Sequence, residues 1–232
     1  MHAMILAAGR GERLRPLTDS LPKPLIEVGG RPLIEYHLRH LAEAGFRQVV
    51  INLGWLGERI VSSLGDGQRF GLDIVYSPEP PGALETAGGI IQALPLLGSG
   101  PFVVLAGDIL CDFPLGRLAP PPDDTLAHLV MVDNPDHHPL GDFAIEGGRL
   151  QISGEPKWTF SGIGVYQPEL FQGLGPGRRA LRPVFEAAIA AGKLSGSVHR
   201  GYWSDVGTAE RLAEAQHSPM VSSCAAEQRE TS

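Results

Sequence analysis

The sequence predicts an α/β protein, a mainly parallel sheet flanked by helices with a small antiparallel lobe added to its second half. Three observations carry this. Short apolar runs recur at 2–8, 47–53, 72–76 and 102–106 without polar alternation, as in strands buried on both faces. Segments with helical spacing separate them. Beyond residue 125 the rhythm changes to strands joined by a glycine turn.

The elements follow in order. MHAMILAAG opens with a buried strand over His2–Ala8, and no basic segment precedes it, so it does not read as a signal peptide. Gly9 to Lys23 has no apolar period and forms a long loop. Pro32 at a first helical position and Gly45 just past the end bracket a helix. A strand over 47–53, a short helix over 55–64 and a strand over 72–76 come next. After the loop SPEPPGALET, Thr86 is placed to cap a helix reaching Leu97. Phe102–Ala106 is a buried strand that stops at Gly107-Asp108. In the second half, 126–132 is a strand and 142–152 a hairpin around Gly147-Gly148. Strands over 159–166 and 198–203 and helices over 181–191 and 208–215 complete the expectation. Residues 1–217 read as one domain and 218–232 as a polar tail.

The 232 residues suffice for one core without disulfide or metal staples. Thirty glycines and twenty prolines lie above the usual share and follow no period, which points to sharp loops on an ordinary core. The net charge of −7 disfavours a nucleic-acid partner. No apolar stretch reaches the ~20 residues that span a bilayer. Cys111 and Cys224 lack metal-type spacing, and reduced thiols in the cytoplasm are the simpler reading. The oligomeric state is open, with a monomer as the working expectation. Against the acidic total, residues 1–31 carry Arg10, Arg13, Arg15, Lys23 and Arg31 but only three acids. That local excess suits a small anion such as a phosphate.

The segment LAAGRGERLRP supplies the means. Small residues leave a buried strand, so backbone can approach a ligand closely. Gly9 and Gly11 permit the dihedrals of an anion-binding nest. Arginines grip phosphate oxygens bidentately, and Pro22 and Pro24 hold Lys23 on a stiff backbone. A dinucleotide fingerprint fails because position 14 is leucine, and a Walker loop fails for want of Gly-Lys-Ser/Thr.

The string LAAGRGERLRPLTDSLPKPLIEVGGRPLIEY resembles the signature of sugar-1-phosphate nucleotidyltransferases, and the likeness extends over roughly residues 3–215. It implies a Rossmann-like, GT-A-like nucleotidyltransferase fold whose antiparallel lobe binds the sugar. It implies transfer of a nucleotidyl group from a nucleoside triphosphate to a sugar 1-phosphate, with Mg²⁺ and loss of pyrophosphate. Asp108 ends FVVLAGD, at the carboxyl edge where open α/β sheets bind ligands, and Asp205 lies in WSDVGT, between a late strand and a helix. Both match family positions that hold Mg²⁺. By the same likeness Arg13 binds the departing triphosphate, and Lys23 bridges the α-phosphate and the sugar phosphate. Asp112 reads as a surface residue.

The resemblance also places the base against Ala7, Ala8 and Gly9 and the loop containing Glu85 and Thr86. Glu85 stands where most relatives have glycine. It reads either as a helix-N-terminal acid favoured by the dipole or as a contact to base or ribose. LET-x-GG, NPDHH with GDF, and TFSGI resemble the subgroup that makes uridylyl sugars of N-acetylmuramate 1-phosphate in cell-wall sugar recycling. UTP is therefore the expected triphosphate. Guanylyl transfer to mannose or heptose 1-phosphate and thymidylyl transfer to glucose 1-phosphate are the alternatives. A regulatory subunit without activity and a glycosyltransferase are further ones. Gly141, Asp142, Ser161 and Gly162 are the sugar candidates. Glu155 and Lys157 join them by a rearranged Glu-Lys-Pro element. His137 and His138 point to opposite faces of an extended segment and should not share a metal. Phe143 and Phe160 read as core, and Trp158 and Trp203 as packed aromatics.

Overall fold

A computed structural model describes residues 1–82 and 84–221 of the chain. In order, its elements are β1 (His2–Leu6), α1 (Leu17–Ser20), β2 (Glu27–Val28), β3 (Arg31–Pro32), α2 (Leu33–Glu43), β4 (Gln48–Leu53), α3 (Gly57–Leu64), β5 (Asp73–Pro78) and α4 (Glu85–Leu97). Then come β6 (Phe102–Ala106), β7 (Ile109–Cys111), β8 (Ala127–Val132), β9 (Phe143–Glu146), β10 (Arg149–Gln151) and β11 (Lys157–Tyr166). α5 (Leu181–Ala190), β12 (Leu194–His199), β13 (Trp203–Asp205) and α6 (Ala209–Ala215) close the chain.

One nine-stranded sheet runs β5-β4-β1-β6-β11-β8-β12-β10-β9. The first four strands are parallel neighbours, and β12 is parallel to β8. β11 runs antiparallel between β6 and β8, and the β9–β10 hairpin turns through Gly147 and Gly148 at φ +54 and +78. Alternate residues of one strand feed opposite cores, which is why its run is apolar throughout. Ala3 and Ile5 face Ile34, Leu38 and Leu41 of α2 and Ile60 of α3. Met4 faces the other side with Val104, beneath Ala87, Ile90 and Ala93 of α4 and Phe185 of α5.

A helical turn, α1, falls inside the stretch expected as loop over 9–23, and several boundaries differ from the sequence reading, three of them with consequences. α4 begins at Glu85, so Thr86 lies inside it and does not cap it. The cap comes from another element, because the Arg179 carbonyl accepts from Ala87 N and Gly88 N at 3.0 and 3.2 Å. The strand expected over 198–203 is two strands, β12 and β13. Between them Gly201 packs so tightly that a Cβ would lie 2.3 Å from Asp112 Oδ1. Serines and glycine in LSGSVH hid the start of β12. Finally, the expected tail 218–232 begins with packed residues. Ser218 and Met220 are buried, Met220 beside Leu14, Val28 and Val206. The rest of that tail, 222–232, lies outside the described residues, as does Cys224; Cys111 is a buried free thiol. Among the described residues no helix is long and apolar enough to cross a membrane.

Candidate active site

The carboxyl ends of β1, β4 and β6 open into a cleft of about 530 Å³. Ala7, Ala8, Gly9, Gly11, Arg13, Lys23, Glu85, Thr86 and Asp108 all line it, so every expected nucleotide residue is brought together. Backbone does most of the shaping. A Cβ on Gly54 would lie 2.4 Å from the Ala8 carbonyl oxygen, and one on Gly107 2.4 Å from that of Leu6. Of the two loop glycines only Gly11 is left-handed, at φ +67, and Thr18 Oγ1 donates to its carbonyl at 2.9 Å. Of the loop arginines only Arg13 faces the cleft. Arg10 stacks 4.4 Å over Trp55, and Arg15 pairs with Asp19 at 2.7 Å.

Asn52 and Glu79 line the same cleft and went unnoticed in the sequence. Asn52 Oδ1 accepts from Ala7 N at 2.7 Å, and its Nδ2 donates to Glu79 Oε1 at 2.6 Å. Glu79 Oε2 accepts from Leu84 N at 3.1 Å, which ties the proline loop to the end of β1. The signal was a lone polar residue inside the apolar run QVVINL.

Glu85 sits at φ +58, the left-handed region that glycine enters freely. That is the physical reason the departure at this position is costly, about 1 kcal/mol for a residue with a Cβ. Its carboxylate accepts from Arg178 Nε at 2.7 Å across the cleft mouth.

At the cleft floor the ammonium of Lys23, only 9% exposed, pairs with Asp108 Oδ2. Asp205 is placed next to Asp108 by the β7–β13 ribbon, in which Asp205 faces Ile109 and Val206 N donates to the Asp108 carbonyl at 2.8 Å. Asp205 Oδ1 meets Arg211 Nη1 at 3.0 Å and His137 Nε2 at 3.1 Å. Two carboxylates on neighbouring strands beside a phosphate-type loop are a donor set that fits a hard divalent cation. Behind Asp108, the imidazole of His37 on α2 is buried, and burial together with His40 pushes it down to about 4.

A second cleft of about 790 Å³ adjoins the first through Leu6, Glu85, Thr86, Ala106 and Asp108. Asp142, Ser161 and Gly162 line it. Gly141, Glu155 and Lys157 are not among the residues that line it. Gly141, at φ +61, packs against Asn134, while Glu155 is exposed and Lys157 gives its carbonyl to Asn134 Nδ2 at 2.9 Å. The rearranged order puts a proline between the two charges, with Glu155 exposed before the strand and Lys157 half-buried as the first residue of β11. Even the residues that do line the cleft are partly committed. Asp142 Oδ1 meets Arg182 at 3.0 Å and His138 at 3.3 Å, and Oδ2 accepts from Phe160 N at 2.9 Å. The Ser161 hydroxyl donates to the Val130 carbonyl at 2.7 Å and accepts from Ile163 N at 3.1 Å, which fixes a bulge in β11. Gly162 is left-handed there, with φ +85 and no room for a Cβ beside Ala106.

His137 and His138 reach different carboxylates, Asp205 and Asp142, although they lie at a turn and both line the second cleft rather than pointing to opposite faces. Phe143 is buried in the core, and both it and Phe160 also line the cleft, Phe160 edge-on to Phe185. Trp203 lines it too and donates from Nε1 to the Ser161 carbonyl at 2.8 Å. Trp158 lies under Arg200. Asp112 is at the surface, paired with His199 at 2.7 Å, and burial pushes the neighbouring Cys111 thiol up to about 12.

The model of the Nucleotidyl transferase family matches residues 2–141, which is more than half of the chain. The chain belongs to that family. It is 51% identical over 93% of its length to an N-acetylmuramate α-1-phosphate uridylyltransferase of Neisseria meningitidis serogroup B, of which it covers 97%. It is 32% identical over 92% of its length to one so named in Caulobacter vibrioides, again covering 97%. Among solved structures, HddC from Yersinia pseudotuberculosis shares the fold with a TM-score of 0.77 at 21% identity, over 93% of this chain and 97% of that one. This nucleotidyl transferase therefore has its family's α/β fold, with the β1 loop at the matched N-terminal end.

Proposed function

We propose that the chain is a uridylyltransferase acting on N-acetyl-α-muramate 1-phosphate, giving the UDP-sugar and pyrophosphate. The observation that supports this most is the 51% identity over nearly the whole chain to a relative of that name. The site supplies the parts. Backbone at Ala7, Ala8 and Gly9, with Glu85 and Thr86, receives the nucleoside. The nest at Gly11 and the Arg13 guanidinium receive the outer phosphates. The second cleft, with Asp142, Ser161 and Gly162, receives the sugar. Asp108 and Asp205 hold Mg²⁺, which when bound neutralises charge on the phosphates.

The sugar phosphate is already an anionic nucleophile, so no side chain needs to remove a proton. Lys23 lines the nucleotide cleft, paired with Asp108, which lines both clefts, and its charge screens the repulsion between two phosphates as they approach. Positioning and charge stabilisation carry the reaction. We assign residues 1–217 to the catalytic domain, and place the protein in the cytoplasm as a monomer serving reuse of cell-wall sugars.

The test is pyrophosphate release over a grid of triphosphates and sugar 1-phosphates with Mg²⁺. The expected best pair is UTP with N-acetyl-α-muramate 1-phosphate. Preferred turnover of GTP with mannose or heptose 1-phosphate, or of dTTP with glucose 1-phosphate, would overturn the substrate choice. No turnover with any pair would overturn the enzyme reading.

A further inference from the structure

Two guanidinium groups converge where only a glycine fits. An ideal Cβ on Gly207 would lie 2.3 Å from Arg211 Nη2 and 2.9 Å from Arg13 Nη2. Like charges brought to one spot repel unless an anion sits between them. Arg211 is held there with its side chain 11% exposed. Its Nη1 is satisfied by Asp205, but Nε and Nη2 are buried without a hydrogen-bond partner among the described residues. A buried charged group with unmet donors costs free energy and marks a place where a ligand completes the site.

The surroundings narrow the ligand. Arg13 belongs both to the nucleotide cleft and to a third cavity of about 680 Å³, which Arg211, Thr208 and Asp205 also line. In an in-line displacement the attacking and leaving oxygens lie on opposite sides of the transferred phosphorus. The sugar arrives from the second cleft, so the leaving group points away from it, past Gly11 and Arg13. We infer that Arg211 is a second cationic holder of the pyrophosphate leaving group, acting with Arg13 across Gly207. This rests on the reading of the chain as releasing pyrophosphate, and it adds a phosphate-binding residue from the far end of the sequence.

The inference predicts a selective loss. In the reverse reaction, UDP-sugar with pyrophosphate, Arg211→Gln should raise KM for pyrophosphate about tenfold to a hundredfold, the scale of lost charge-assisted hydrogen bonds. KM for the sugar 1-phosphate in the forward direction should change less than about twofold. Arg211→Lys keeps a charge beside Asp205 but loses the fork, so it should leave the forward sugar KM at the wild-type value and recover the pyrophosphate KM only in part. A direct reading uses the whole chain with Mg²⁺. Added pyrophosphate should raise the melting temperature of the wild type, and less for both variants. If Arg211→Gln keeps the wild-type pyrophosphate KM and thermal shift while kcat falls, Arg211 only holds Asp205 and the inference is overturned. Full rescue of every parameter by lysine would overturn it equally. If no substrate pair turns over at all, the functional reading fails on its own. A pyrophosphate-dependent thermal shift that requires Arg211 would then still support the anion site.

Discussion

The two adjoining clefts are built by different means. The nucleotide cleft is shaped by backbone: Ala7, Ala8 and Gly9 follow β1, and Gly54 and Gly107 are pressed against the carbonyl oxygens of Ala8 and Leu6 at that strand's end. The second cleft is made of side chains: Phe160 on β11, Trp203 on β13, Arg182 and Phe185 on α5, and His138 on the connection after β8. Every triphosphate carries the same phosphate chain, and a rigid nest of amides can meet it without particular side chains. Sugars differ in substituents, and side chains can change with the substrate while the sheet stays. The lesson is a division of labour, with chemistry fixed by main chain on one side and selection carried by side chains on the other.

The contrast is sharpest under substitution. Gly107→Ala puts a methyl 2.4 Å from the Leu6 carbonyl oxygen, and backbone has to move to admit it. The expected cost is about 1–3 kcal/mol of stability, and about a hundredfold in kcat/KM because the phosphates lose their alignment. Both substrates should suffer. Phe160→Leu, in the second cleft, should raise only the sugar KM, by about tenfold or less, and leave the UTP KM alone. Steady-state kinetics with each substrate varied in turn, beside urea unfolding, decides the matter. If Gly107→Ala retains wild-type kinetics, or Phe160→Leu disturbs both substrates alike, the division is wrong.

This difference also explains what could be read beforehand. The nucleotide cleft was legible because its determinants lie close together in the chain, in the run from Ala7 to Lys23, and because close backbone approach demands glycine and alanine. Asp108 was legible because a parallel strand ends there. The partners of these residues were not. Arg211 lies 198 positions from Arg13, and nothing local says that the two meet over Gly207. The second cleft was read partly amiss because its positions are set by a bulge in β11 and by β9 crossing beside it. A glutamate and a lysine flank Pro156, yet Glu155 is exposed and Lys157 opens β11, so neither lines the cleft. Strand β7 is three residues long and shows no period at all.

Histidines separate the two halves in a second way, and pH tests it. His137 and His138 lie against carboxylates at the cleft wall. His37, beneath the nucleotide cleft, is buried and pushed down from 6.5 to about 4. The unfolded chain therefore binds a proton at this position between those values while the folded chain does not. Stability is full above about 6.5 and is lost as pH falls toward 4. At pH 5 the loss from this one group is about 2 kcal/mol. Urea midpoints of the wild type should fall from pH 7 to pH 5, and His37→Leu should flatten that slope. An unchanged slope in the variant would remove His37 as the cause.

The smallest expected effect concerns Glu85, which with Leu56 is a non-glycine residue in the left-handed region among the described residues. Glu85 stands at the seam of both clefts with φ +58, where a Cβ is strained. Its Arg178 partner is exposed, and such a pair contributes little to stability. Replacing Glu85 by alanine keeps the strain and removes the carboxylate. Replacing it by glycine removes both. Glu85→Gly should therefore exceed Glu85→Ala in unfolding free energy by about 1 kcal/mol. Activity then separates strain from charge. If the carboxylate contributes to nucleoside or sugar recognition, both variants lose kcat/KM by the same factor despite their different stabilities. If the acid serves only the first turn of α4, glycine restores wild-type kinetics, and this seam belongs wholly to the backbone-built side of the molecule.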